Sequence, residues 1–177
     1  TGTLKFQTAE NVWGSVTASV MLHDSGGVER GGSATSPEQT FTISIAPVNQ
    51  APLFSLNQSV LLGIGLPSIG EPFIFQVSED ADCAPRPGFA AGIVPSPDPN
   101  FEAHQSVSFR FEQVDGENDL FTAPVEMTAS GTLLLCPAAN RNGEAKFALT
   151  LLDDGGTQNG GQDVSDAVEL TIIVLPV

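Results

Sequence analysis

Apolar and polar residues alternate along several short stretches of the chain, which is the pattern of β-strands with one buried face. In residues 16–23, Val16, Ala18, Val20 and Leu22 alternate with Thr, Ser, Met and His. The same alternation predicts further strands around Phe41/Ile43/Ile45, Phe73/Phe75/Val77, Val107/Phe109/Phe111, Leu133/Leu135 and Leu170/Ile172/Val174. No stretch has a helical period, so the pattern predicts an all-β chain.

Turn signals separate these predicted strands. They include the Asn142-Gly143 dipeptide, several double glycines and the proline-rich residues 95–99. Short alternating strands with frequent turns are typical of a Greek-key β-sandwich.

The two ends of the chain share one sequence pattern. Residues 1–48 align with residues 130–177 without a gap at an offset of 129 (131 − 2), and 17 of the 48 pairs are identical. Residues 145, 147, 149 and 151 are apolar like their counterparts 16, 18, 20 and 22, so we expect this strand face to be buried in both copies. Repetition at a fixed period indicates a modular array. We therefore expect residues 1–48 to be the C-terminal half of one module and residues 49–177 to be a complete module, in a parent protein that continues on both sides.

Composition and charge limit the possible partners. The 177 residues carry 21 acidic and 6 basic side chains, a formal net charge of −15. A field of that sign repels phosphate backbones, which excludes a nucleic-acid partner. The longest apolar run, residues 170–177 with one threonine, has the length of a strand and not of a membrane span.

Several short motifs follow one another in a specific order. They are VSED at residues 77–80, GFAA at 88–91, QSVSF at 105–109, SGTL at 130–133, PAANRNG at 137–143 and LDDGGTQNGG at 152–161, with the strand and linker at 41–52. In this order they resemble the cadherin-like, immunoglobulin-like tandem repeats of large extracellular surface proteins and adhesins. This resemblance implies immunoglobulin-like (cadherin-like) β-sandwich modules and an extracellular or cell-surface location. Two departures are Gln50, where the family linker has Asp, and an apparent insertion at residues 61–70.

Two groups of carboxylates are candidate calcium ligands, because Ca²⁺ takes six to eight oxygen ligands. Glu79, Asp80 and Asp82 cluster beside a predicted strand end, and Asp153, Asp154 and Asp163 flank a glycine-rich loop. The linker adds no carboxylate to either group. The alternative interpretation is ordinary turn chemistry, in which Asp and Gly serve the backbone.

Cys83 and Cys136 belong to the complete module only, because Cys136 replaces Gln7 of the first copy. In an oxidising compartment they are expected to form a disulfide bond, with two separate thiols as the alternative. Asn57 begins an Asn-Gln-Ser triplet, a candidate N-glycosylation site whose alternative is a plain loop asparagine.

No catalytic motif stands out in the sequence. The two histidines, His23 and His104, have no repeated partner, and neither a G-x-S-x-G nor an H-E-x-x-H motif is present. Trp13 lies at the turn position matched by Asn142, where it could dock on a neighbouring module or a carbohydrate, or cover the edge of its own sandwich.

The sequence therefore predicts a non-enzymatic structural spacer or adhesion module. Its expected partners are neighbouring modules of the same protein, with which it could assemble into filaments. No cofactor is expected other than the possible calcium. Short linkers containing proline should limit bending between modules, because proline fixes φ. The alternatives are a carbohydrate- or protein-binding module that uses residues 61–70 or 95–99, and a spacer of an extracellular enzyme.

Overall fold

The computed structural model describes residues 2–10, 12–57, 73–98 and 102–177. The predicted insertion at residues 61–70 and the last residue of the 95–99 loop lie outside the described residues. The described chain is almost entirely strands, turns and loops, and its only helical segments are two three-residue 3-10 turns at Glu29–Gly31 and Gln158–Gly160. The all-β prediction is confirmed at this level.

The chain divides into two compact units, Thr1–Pro47 and Val48–Val177, called unit 1 and unit 2 below. Unit 1 contains β1 (Gly14–Val20) and β2 (Gln39–Ile45), which form an antiparallel two-stranded sheet. Unit 2 contains β3 (Leu53–Leu56), β4 (Phe73–Ser78), β5 (Ala90–Val94), β6 (Val107–Gly116), β7 (Glu126–Met127), β8 (Leu133–Leu134), β9 (Gly143–Asp153) and β10 (Val168–Leu175).

Unit 2 is built on a four-stranded sheet in the order β4-β10-β9-β6. β4 runs parallel to β10, whereas the other two pairings are antiparallel. Two small antiparallel sheets, β3-β5 and β7-β8, complete the unit. The sequence pattern located β4, β6, β8, β9 and β10, but not β3, β5 and β7, whose residues do not alternate between apolar and polar clearly enough.

Alternate residues of the paired strands form one apolar core in unit 2. Phe147, Leu149, Leu170 and Ile172 are at most 5 % exposed, and they share a cluster with residues of β3, β4, β5, β7 and β8. An edge-to-face aromatic pair joins two of the sheets, with the ring centroids of Phe54 on β3 and Phe109 on β6 5.1 Å apart. A similar pair, Phe111 and Phe147, lies within the four-stranded sheet. Such pairs add to the area that the rings bury.

The hairpin β1-β2 repeats the hairpin β9-β10 residue for residue. In the first hairpin Gly14 pairs with Ile45 and Val20 with Gln39. In the second, Gly143 pairs with Val174 and Leu149 with Val168. Each residue of the second hairpin has a number 129 larger than its counterpart in the first. The long connections also match: the amide of Asp24 donates to Ala34 O over 2.9 Å, and that of Asp153 to Asp163 O over 3.0 Å.

Burial differs sharply between the two hairpins, and the expectation that both strand faces are buried is wrong for unit 1. Leu149 and Leu151 are fully buried, but their counterparts Val20 and Leu22 are 55 % and 74 % exposed. The cause is the absence, within the described part of unit 1, of further strands that could cover the β1-β2 sheet. A two-stranded sheet has only its own side chains with which to bury its apolar face.

Candidate functional site

Polar side chains of unit 2 converge on the linker that enters it. Asn49 lies before β3, and its Nδ2 donates to Asp153 Oδ1 and to the carbonyl of Gln162, each over 2.8 Å. Its Oδ1 accepts from Gln105 Nε2, also over 2.8 Å. The backbone joins as well, because the amide of Gln162 donates to the carbonyl of Asn49. We call Asn49 and Gln50, together with the residues that hold them, the linker clamp; these partners are Ser96, Glu102, Gln105, Asp153 and Gln162.

Gln50 is held by a different set of partners. The backbone N–H of Gln50 donates to both carboxylate oxygens of Glu102, over 3.1 and 3.3 Å. The side-chain Oε1 of Gln50 accepts from Ser96 Oγ over 3.1 Å. Glu102 and Ser96 are only 2 % and 1 % exposed. Pro52, two residues further on, is also fully buried. A buried carboxylate that accepts a backbone N–H satisfies both groups at once.

Two glycines make room for Asn49. A Cβ added at Gly155 would collide with the Asn49 carboxamide and with Gln105 Nε2, and one added at Gly161 would lie 3.0 Å from Asn49 Cβ. Neither glycine has a positive φ, so the backbone conformation itself does not require glycine there. Close approach of the linker is the reason for the missing side chains.

The structure places the two groups of predicted calcium ligands at strand ends and in the loops and turns that follow, where carboxylates of both groups form hydrogen bonds with the protein. Among the described residues, no three His, Cys, Asp or Glu side chains lie close enough together to hold a metal ion. Asp153 caps its own loop by accepting from the amide of Gly155 over 2.8 Å, and Asp154 accepts from the amide of Ser106 over 2.9 Å. These contacts agree with turn chemistry, although calcium stays a prediction.

One feature of the clamp still bears on calcium. Asp153 Oδ2 and Gln105 Oε1 are buried with no hydrogen-bond partner among the described residues. Buried carboxylate and amide oxygens normally have a partner, and water or a cation can supply it. Asp153 Oδ2 and Gln105 Oε1 are thus two clamp acceptors that a water or a cation could satisfy.

The first predicted calcium group lies at the other end of the unit. Glu79 accepts from Asn142 Nδ2 over 3.2 Å and from the amide of Val177 over 3.3 Å. The amide of Glu79 donates to the carbonyl of Leu175. The carboxylate therefore fastens the end of β10, while Asp80 and Asp82, both exposed, lie in the following turn.

The remaining predicted residues are placed as follows. Cys83 and Cys136 form a disulfide bond, with Cα atoms 4.5 Å apart, which confirms the predicted pairing. The amide of Asn57 donates to the carbonyl of Phe89, and the other two residues of its triplet lie outside the described residues. Trp13 is 55 % exposed.

The described surface of unit 2 also has a concavity of 390 Å³ beside β6 and β7, lined by Phe109, Arg110, Phe111, Val125, Glu126 and Met127. It contains one guanidinium and one carboxylate, and this lining lacks a nucleophile with an adjacent base. No helix in the described part of the chain is long and apolar enough to cross a membrane.

The sequence identified Asn49 and Gln50 only as linker residues without a carboxylate, and it missed Glu102 and Ser96 as their partners. For Gln105, the sequence indicated only that it lies just before a predicted strand, and not that it contacts the linker. The partners are 46 to 113 residues from the linker, a separation that leaves no local pattern. Comparison with protein-family models, with curated proteins and with solved structures gave no match.

Proposed function

We propose that this chain is a stretch of a tandem array of immunoglobulin-like β-sandwich modules that acts as a structural spacer or adhesion segment outside the cell, without catalysis. The observation that carries the proposal is the offset of 129, which relates the two hairpins in sequence and in strand register. One structural unit that recurs in a chain at a fixed interval is the mark of an array.

Both ends of unit 2 are fastened, as a spacer requires. Asn49 and Gln50 are clamped at its beginning, and Glu79 holds Val177 at its end. Only residues 46–48 lie between the end of β2 and the clamped Asn49, and one of them is a proline. Few free backbone dihedrals then remain in the linker, which favours a stiff connection.

The disulfide bond supports the extracellular part of the proposal, because such bonds persist in oxidising compartments. The net charge of −15 fits a soluble surface that does not self-associate without specific contacts. The partners implied are neighbouring modules of the same protein.

The sequence of the complete coding region tests the array most directly. We expect further copies of the pattern at intervals of about 129 residues. Small-angle scattering on a multi-module polypeptide should then give an elongated particle whose length grows linearly with the number of modules. A parent protein with no further copy, or a flexible, collapsed particle, would contradict the proposal.

The exposed Trp13 favours one second candidate, a carbohydrate- or protein-binding module, because aromatic side chains are common anchors in such sites. A glycan array probed with the chain, with Trp13→Ala as the control, separates this candidate from a pure spacer. Trp13-dependent binding would support the second function.

A further inference from the structure

The turn formed by residues 24–32 of unit 1 has the geometry of the turn that receives Asn49 in unit 2. The amide of Gly26 donates to Asp24 Oδ1 over 2.7 Å, as that of Gly155 does to Asp153 Oδ1 over 2.8 Å. Arg30 and Asn159 have φ values of 60° and 57° at the same place. The two turns therefore present the same acceptor and the same backbone path.

The glycines at the receiving positions are also shared. Gly26 and Gly32 correspond to Gly155 and Gly161, and like them they lack a positive φ. An added Cβ at Gly26 would meet only the Asp24 side chain, with Oδ1 at 3.0 Å, which can shift. In unit 2 the space beside the first glycine holds a carboxamide, and in the described part of unit 1 no carboxamide lies there.

The sheet next to this turn has an apolar face that lacks the cover found in unit 2. Val16, Val20 and Leu22 are 54 %, 55 % and 74 % exposed. In unit 2 the matching face belongs to a core that also contains residues of β3, β4, β5 and β7. Within the sheet, β4 flanks β10 and β6 flanks β9. Unit 2 thus shows what kind of chain covers such a hairpin.

We propose that the turn of residues 24–32 and the β1-β2 sheet together bind a polypeptide segment with the chemistry of residues 49–127, placing an asparagine carboxamide against Asp24 Oδ1 and the carbonyl of Ser33. This inference rests on the proposed array, because the segment is supplied by the same polypeptide ahead of residue 1. A second copy of the chain is not the donor, since its own β4 and β6 already pair with its β10 and β9.

The register of the bound segment follows from unit 2. Leu170 pairs with Phe73, Ile172 with Phe75 and Val174 with Val77 in the parallel ladder. Subtracting 129 places the incoming parallel strand along Phe41, Ile43 and Ile45 of β2. A second incoming strand runs antiparallel to β1, in the position of β6 beside β9.

Hydrogen exchange on two polypeptides tests this inference: residues 1–177, and the natural chain extended N-terminally by 81 residues (129 − 48). We expect residues 16–22 and 39–45 to exchange rapidly in the short chain. In the extended chain their protection should rise by roughly a hundredfold or more, because global opening then limits exchange.

Matched glycine variants assign that protection to the turn. Gly26→Ala should leave the short chain unchanged and should lower protection in the extended chain on the order of tenfold, the effect of losing one well-placed polar contact. Gly155→Ala should disturb unit 2 in both chains. Ser19→Ala is the control, because Ser19 is exposed and its counterpart in unit 2, Ala148, is already an alanine.

Val20→Lys probes the sheet face independently of the turn. It should be silent in the short chain and should abolish the added protection in the extended chain, since a lysine cannot be buried there unpaired. Three results would overturn the inference: equal protection of residues 16–22 in both chains, Gly26→Ala that is silent in the extended chain, or a concentration-dependent dimer of the short chain that protects these strands. The coding sequence upstream of residue 1 shows independently whether a copy of residues 49–127 is there, so a failure of this inference is distinguished from a failure of the proposed array.

Discussion

Asn49 Nδ2 donates to Asp153 Oδ1 over 2.8 Å, and this bond ties the linker to the last residue of β9 across 104 positions of sequence. Asparagine suits the position because its carboxamide donates and accepts at once. Asp153 and the Gln162 carbonyl need a donor, whereas Gln105 Nε2 needs an acceptor. An ionised aspartate at this position could only accept, so it could bond to Gln105 Nε2 but not to Asp153 or to the Gln162 carbonyl.

Replacing the carboxamide of Asn49 tests this account. Asn49→Asp removes the donor and places a second carboxylate against Asp153, so we expect the free energy of unfolding of unit 2 to fall by about 1–3 kcal/mol. Urea denaturation followed by far-ultraviolet circular dichroism measures the change, because the one tryptophan, Trp13, lies in unit 1 and the chain has no tyrosine. The exposed Asn118→Asp adds the same charge outside the clamp and should change stability by less than about 0.5 kcal/mol. Equal effects of the two variants would contradict the clamp.

The disulfide bond between Cys83 and Cys136 should contribute measurably to the stability of unit 2. It closes a loop of 53 residues, and the chain-entropy estimate for that length is about 4 kcal/mol. The double variant Cys83→Ser/Cys136→Ser should therefore unfold at a lower urea concentration, with unit 1 unaffected. In the native protein, thiol alkylation followed by intact-mass measurement should label both cysteines only after reduction. Labelling without reductant would contradict the pairing.

Equivalent positions of the two hairpins should respond differently to truncation. Leu149 is fully buried, so Leu149→Ala should destabilise unit 2 by about 2–5 kcal/mol through lost burial and a cavity. Val20, its counterpart, is 55 % exposed, and Val20→Ala should change stability by no more than about 0.5 kcal/mol in the 177-residue chain. Denaturant titration of both variants gives the comparison. A large loss for Val20→Ala would mean that its face is covered in this chain.

The calcium prediction is sharpest at the linker clamp, because Asp153 Oδ2 and Gln105 Oε1 are buried with no partner among the described residues. If Ca²⁺ binds there, a chelator should lower the Tm of unit 2, since a ligand that binds only the folded state stabilises it. Asp153→Asn should abolish that difference, whereas Glu79→Gln at the other end should retain it. An unchanged Tm on chelation would contradict the calcium prediction and leave Asp153 as a cap of its loop.

The sequence by itself determined the strands with a clear alternation and the repeat that relates residues 1–48 to residues 130–177. Both depend on local order along the chain, because strand faces follow a period of two and a repeat preserves spacing. The sequence also predicted the cysteine pairing, with two separate thiols as the alternative, and the structure shows the disulfide bond. The turn glycines were visible in the sequence, but not which of them make room for the linker.

Only the tertiary structure decided which apolar faces are buried and which polar residues meet. Val20 and Leu149 look alike in sequence pattern, yet their exposure differs because burial depends on neighbouring strands and not on the strand itself. The partners of Gln50 are a serine and a glutamate 46 and 52 residues away. A hydrogen bond across such a separation depends on how the sheets pack, and no periodicity along the chain records it.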